Sequence, residues 1–132
     1  MALSADTPRA YEQGDINVLP VAASQTIYEG SAVGLSSGYA RALVAGDEFQ
    51  GFCVEKVVNA VATNGAASVK VRDKGKMQVT LTGVAVTNVG DAVYMSDDGT
   101  FTLEDSGNSL VGKVHRYVSS NTCVIEFKSY NH

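Results

Sequence analysis

The chain uses one pattern twice, and that repetition limits what it can fold into. Gly30-Ser31-Ala32-Val33-Gly34-Leu35-Ser36-Ser37-Gly38 returns as Gly90-Asp91-Ala92-Val93-Tyr94-Met95-Ser96, followed by Asp97-Asp98-Gly99. Tyr39-Ala40-Arg41-Ala42-Leu43 stands where Thr100-Phe101-Thr102-Leu103 stands, and Gly51-Phe52-Cys53-Val54 where Gly112-Lys113-Val114-His115 does. The offset is 60 residues at the first glycine and 61 at the last, so one residue is gained in a turn. Each copy ends in an alternating stretch, residues 67–71 and 122–127. Self-similarity of this kind marks a repeated supersecondary unit. Two copies are too few for a solenoid, so the expectation is one domain over residues 14–132 with an internal pseudo-repeat, its units spanning about 26–72 and 86–128.

The unit itself reads as strands. Val93 and Met95 alternate with Ala92 and Tyr94, Asp97-Asp98-Gly99 makes a first turn, and residues 104–108 make a second before Leu110-Val111-Gly112-Lys113-Val114. Asp-Gly between alternating apolar residues is a hairpin signal, because glycine takes the positive φ such turns require. Further strands are predicted over residues 15–21, with Pro20 at a sheet edge, and over 49–58, 67–72, 77–82 and 122–127. Thr26-Ile27-Tyr28 is available for pairing, and a turn is expected at residues 45–48. A hairpin turn is expected at Asp73-Lys74-Gly75-Lys76 and a bulge at Gly83. No stretch keeps a 3.6-residue period over three turns, so helix is minor. The inward-facing set is Val33, Leu35, Leu43, Phe52, Val54, Val69, Val71, Val79, Leu81, Val93, Met95, Phe101, Leu103, Val111, Val114, Val124 and Ile125 or its neighbour Phe127. The predicted class is mostly β: a small single-domain β-barrel or β-sandwich, closed up to limit exposed strand edges. Residues 1–13 carry neither period and form an extended N-terminal arm, which spans roughly 40 Å at ~3.3 Å per residue when fully extended.

Composition narrows function. A net charge of -4, with the ten basic residues scattered, argues against nucleic acid. The densest basic cluster, Lys70-Arg72-Lys74-Lys76, is interrupted by Asp73 and reads as one solvated face. Cys53 and Cys123 lie inside strand patterns and read as buried small hydrophobes, in keeping with assembly in a reducing cytosol; their pairing is left open. The opening Met-Ala-Leu-Ser-Ala-Asp has no basic stretch followed by an apolar core, so no N-terminal export signal is expected. No apolar run approaches the ~18 residues of a membrane span.

Reactive constellations are not evident. The adjacent carboxylates Asp47-Glu48, Asp97-Asp98 and Glu104-Asp105 fall beside Gly46, Gly99 and Gly107, where turn chemistry accounts for them. General acid–base work needs two carboxylates facing one pocket, whereas sequence neighbours mostly point apart. His115 and His132 show no metal-ligand spacing with the two cysteines. Nucleophile elbows and phosphate-binding glycine loops are missing from the sequence. The expectation is therefore a non-enzyme with no catalytic residues, no metal and no cofactor.

An early Gly-Asp, a Gly-x-Ala-Val turn, Ala-Gly-Asp, Gly-Phe and Gly-Lys-Met-x-Val precede Val-Gly-Asp-Ala-Val-Tyr-Met-Ser-Asp-Asp-Gly-Thr-Phe-Thr. Gly-Asn-Ser-Leu-Val-Gly-Lys-Val and a closing Val-Ile-Glu-Phe complete the order. Over residues 14–128, and most sharply over 90–112, this resembles the capsid cement, or head decoration, proteins of tailed bacteriophages. The resemblance implies a structural protein of the virion, made in the host cytoplasm and seated on the outer capsid surface. Its partner would be the phage major capsid protein, and it would act as a homo-oligomer, a trimer or alternatively a dimer. It implies no membrane and no nucleic-acid contact, which suits an acidic body on a surface that does not face DNA. On this reading the arm orders on the capsid, with Thr7, Pro8, Arg9 and Tyr11 as the contact residues. The alternative is a small β-barrel module for a ligand or glycan, such as a host-surface adhesin. The dispersal of the six tyrosines weighs against a single aromatic binding face.

Overall fold

A computed structural model describes residues 2, 4–6 and 14–129. The described chain is mostly β, with one short 3-10 turn at Val86–Asn88. Its strands are β1 (Ile16–Pro20), β2 (Gln25–Ile27), β3 (Ala32–Ser36), β4 (Tyr39–Ala42), β5 (Gly51–Cys53), β6 (Val57–Asn59) and β7 (Ser68–Arg72). They continue with β8 (Lys74–Thr80), β9 (Ala92–Met95), β10 (Phe101–Thr102), β11 (Ser109–Ser119) and β12 (Thr122–Lys128). Three antiparallel sheets result, ordered β1-β7-β5-β3-β4, β10-β9-β11-β12-β8 and β2-β6. Among the described residues the chain is the small β-rich domain expected, and none of its three sheets closes on itself.

The repeat is written into the register of the two larger sheets. Val33 lies opposite Gly51 as Val93 lies opposite Gly112, and Ala32 opposite Phe52 as Ala92 opposite Lys113. Cys53 faces Val71 as Val114 faces Ile125. Asn17 then pairs with Val71 as Met77 pairs with Ile125, so β1 and β8 are equivalent outer strands. The correspondence thus reaches further upstream than residues 26 and 86. Turn bonds repeat as well: Gly30 N–H donates to the Cys53 carbonyl and Gly90 N–H to that of Val114, both at 2.9 Å. Gly51 and Gly112 serve one purpose in the two copies. A Cβ on Gly51 would sit 2.5 Å from the Arg72 carbonyl oxygen, and one on Gly112 would strike the Glu126 carbonyl. Each glycine lets its strand lie against the next.

One face of the repeat makes both cores, because alternate residues of a strand share a face. Val21, Val33, Cys53, Val69 and Val71 are buried against Ile27 and Ala40 in the first. Their counterparts Leu81, Val93, Val114, Cys123 and Ile125 are buried in the second. A single position separates the two outcomes. Ala40 lies opposite Leu35, and Phe101 holds the same place opposite Met95. The small Ala40 lets the end of β1 come close, so Val21 bridges to it and Ala22 N–H donates to its carbonyl at 2.8 Å. Phe101 leaves no such room; its ring packs 6.0 Å from that of Phe52. The second core takes its filling from the first unit instead, through Leu43, Phe49 and Phe52. Phe52 meets Phe127 edge-on at 4.8 Å and Phe49 at 5.1 Å. Burying each such ring contributes about 1.5–3 kcal/mol, and each pair about 0.5–1.5 kcal/mol more. The two units therefore share one aromatic cluster.

Several local expectations are corrected. Residues 49–58 form two strands in different sheets, because the chain bends after Cys53, whose thiol points to the Glu55 carbonyl at 3.0 Å. The bend leaves Val54 at 37% exposure, outside the core. No hairpin turn occupies residues 73–76: β7 and β8 belong to different sheets, and β8 is already extended at Lys74. Gly83 sits in a turn at φ +80°, its N–H donating to Asn121 Oδ1 at 2.9 Å, and the irregular pairings fall in β11 instead. The expected turns at residues 45–48, 97–99 and 104–108 are present.

Candidate binding surface

The carboxylate pairs are absorbed by local structure. Asp97 accepts from Gly99 N–H at 2.9 Å, Thr100 N–H at 2.8 Å and Thr100 Oγ1–H at 3.1 Å. These donors, the Gly99 amide foremost, hold its carboxyl below the usual aspartate range. Asn108 closes the next turn by donating from Nδ2 to the Glu104 carbonyl at 3.0 Å. Asp47 receives both Nε and a terminal nitrogen of Arg41, at 3.0 and 2.7 Å, and the Val44 N–H at 3.0 Å. It thereby fixes the loop that carries Leu43 and Phe49 into the shared core. Cys53 and Cys123 are free and buried in different cores, and burial pushes both thiols up. Among the described residues no group of His, Cys, Asp and Glu is placed to hold a metal ion. His115 lies half-buried on β11, and His132 is outside the described residues.

Surface features follow from the sheet order. Among the described residues β1 and β8 each pair with one neighbour, so each has an edge left open by them. On β1 the bonds Val21 N–H to Ala67 O (2.9 Å) and Asp73 N–H to Asp15 O (2.8 Å) assign the odd-numbered residues to β7. Ile16 and Val18 therefore aim their backbone groups outward, and their side chains are 45% and 55% exposed. On β8, Leu81 N–H to Asn121 O and Ser129 N–H to Asp73 O, both 2.8 Å, assign the odd residues to β12. Lys74, Lys76 and Gln78 then face the open edge. Beside it lies a groove of about 700 Å³ lined by Lys74, Lys76, Lys113, Lys128, Phe127, Gly75, Glu126, Gly14 and Asp15. Lys113 reaches Glu126 at 3.7 Å, and Asp15 pairs with Arg72.

The basic cluster of residues 70–76 is exposed but does not form one face. Lys70 and Arg72 belong to the first large sheet, and Lys74 and Lys76 to the second. Lys113 and Lys128, which complete the groove, were not singled out from sequence; only the antiparallel register of β12 with β8 and β11 brings them in. Thr7, Pro8, Arg9 and Tyr11 lie outside the described residues. Gly14 and Asp15, where residues 1–13 join the body, line the groove. No protein-family model matches the chain, and a search of curated proteins finds no match.

Proposed function

We propose that the chain is a non-enzymatic cement protein, binding the outer surface of a tailed-phage head as a homo-oligomer and stabilising the major-capsid lattice. The observation that carries the reading is the β1 edge. Soluble proteins blunt open strand edges with lysines, prolines or bulges, since a flat apolar edge pairs with other chains. The equivalent strand β8 is blunted in that way, by Lys74 and Lys76. β1 is blunted only at its end, by Pro20, and ahead of it presents the exposed apolar side chains of Ile16 and Val18, immediately after the N-terminal segment for which the resemblance implies capsid contact. An edge left apolar is kept for a partner.

A capsid segment laid along β1 gains backbone hydrogen bonds from Ile16 and from the Val18 carbonyl, the Val18 N–H being held by Asn17 Oδ1 at 2.9 Å, and covers both side chains. A protein that binds only the assembled lattice stabilises it by mass action, and linked copies add their weak sites. The net charge of -4 suits an outward position, away from packaged DNA. On this reading the two repeat units form a compact sandwich around the shared aromatic cluster, with residues 1–13 as the arm that orders on the head. Co-sedimentation with expanded, undecorated heads of the phage that carries the chain tests the proposal. Saturable binding is expected, with affinity falling at least about tenfold in Val18→Lys. A wild-type protein that stays in the supernatant overturns it.

A further inference from the structure

The second open edge has a chemistry of its own. We propose that β8 and the groove beside it dock an acidic, extended segment of another protein, separately from whatever β1 binds. The site combines a strand edge with charge. Lys74, Lys76 and Gln78 point backbone donors and acceptors at solvent along seven residues, about 23 Å at ~3.3 Å per residue. Four lysines surround that edge in a chain whose net charge is -4, against Asp15 and Glu126.

Edge protection alone does not explain this arrangement. Lysines on β8 keep neutral strands away, but Lys113 lies on β11, two strands in from the edge, and adds nothing to that function. Lys74 is placed directly across from Lys128 on β12, which brings two lysines to the same end of the groove. The repeat had an apolar alternative at the same positions, since Lys76 and Gln78 stand where β1 has Ile16 and Val18. An incoming strand with carboxylates at alternate positions meets Lys76 and Lys74 on one face while its backbone pairs with the edge. The amides of β8 offer donors and acceptors in alternation, which a peptide matches and a phosphate backbone, acceptor only, does not.

The test uses the full chain and a fluorescein-labelled, acetylated peptide Glu-Thr-Glu-Val-Glu-Thr-Glu. Comparison peptides replace every Glu by Lys, or methylate alternate backbone nitrogens in each of the two registers. The acidic peptide is expected to bind at least about tenfold more tightly than the basic one, and one methylated register is expected to lose that binding. Hydrogen exchange at Lys76 and Gln78 is expected to slow on binding. The double variant Lys74→Glu, Lys76→Glu changes only exposed side chains and is expected to invert the peptide preference with unchanged circular dichroism, while Lys70→Glu on the other sheet leaves it as it was. Equal binding of both peptides, or none, overturns the proposal. So does displacement by an oligodeoxynucleotide with no protection on β8, which would make the site a mere anion patch. Loss of self-association in the double variant, without peptide binding, would assign the edge to a second copy and overturn it equally.

Discussion

Replacing Gly51 by alanine tests the packing on which the repeat depends. The new Cβ falls 2.5 Å from the Arg72 carbonyl oxygen, 3.0 Å from its carbon and 3.1 Å from Asp73 Cα. These are backbone atoms of the neighbouring strand and cannot swing aside as a side chain does. Ordinary contact begins at 3.4 Å, so β7 has to retreat by about 0.9 Å, against the Phe52–Arg72 and Cys53–Val71 pairing. Forcing extra volume into a packed site costs about 1–3 kcal/mol. Gly51 also sits at φ +132°, which adds about 1–2 kcal/mol for an L-residue. The expected loss is about 2–5 kcal/mol out of a stability of about 5–15 kcal/mol, with the melting temperature lowered by about 8–20 °C. Urea and thermal unfolding followed by far-UV circular dichroism give the number directly, a suitable probe for a chain without tryptophan. Gly112→Ala is expected to behave alike, whereas Gly99→Ala, with open space around it, stays within about 0.5 kcal/mol of wild type. A Gly51→Ala protein as stable as wild type would show that β5 and β7 do not need the close approach, and a Gly99→Ala protein equally damaged would show that the loss is not steric.

Three further outcomes follow from the same geometry. Asn59, 2% exposed, donates its side-chain amide to the carbonyls of Val21, Ala22 and Thr63 at 3.2, 3.0 and 3.1 Å; Asn59→Ala removes these bonds, leaving the Val21 carbonyl with the Gly65 N–H alone, and is expected to cost about 1–3 kcal/mol in urea titration. Burial raises both thiols, so Cys53 and Cys123 are expected to react slowly with a disulfide reagent at neutral pH in the native protein and promptly in denaturant. Because the folded state lowers the Asp97 carboxyl below its unfolded value, the stability it contributes is present above the ordinary aspartate range and is lost as pH falls through the folded value. Asp97→Ala is therefore expected to trail wild type at neutral pH, with the gap closing in acid; a gap that widens in acid contradicts the assignment.

What the sequence disclosed and what it hid divide along physical lines. Turn chemistry and period-two alternation are local, so the hairpin at Asp97-Asp98-Gly99, the edge position of Pro20 and the strand at residues 122–127 could be read directly, although Gly99 does not take the positive φ expected of it and the Asp97 side chain closes the turn instead. The repeat was legible because Gly51 and Gly112 are sterically required. Sheet membership is not local. Phe52 and Val54 continue the alternation of their neighbours, so nothing in the pattern marks the bend that parts β5 from β6. Lys74-Gly75-Lys76 has the composition of a turn, yet it lies inside β8, with Gly75 at φ +151° in a conformation that favours glycine just past the crossing from one sheet into the next. Ile27 and Phe49, both fully buried, were left out of the inward set, because each stands alone in a polar or glycine-rich stretch and its core is built by distant strands. The groove was hidden for the same reason. Lys74, Lys113 and Lys128 meet only through pairing, and their cluster cannot be seen until β12 lies between β8 and β11.

Heating phage heads tests directly the proposal that this chain cements them from outside. Expanded, undecorated heads are titrated with the full-length protein and warmed while capsid disruption is followed by light scattering. The disruption temperature is expected to rise with added protein and level off at saturation, with Val18→Lys shifting the curve to higher concentration. Heads that come apart at the same temperature with and without a saturating excess of protein would contradict it.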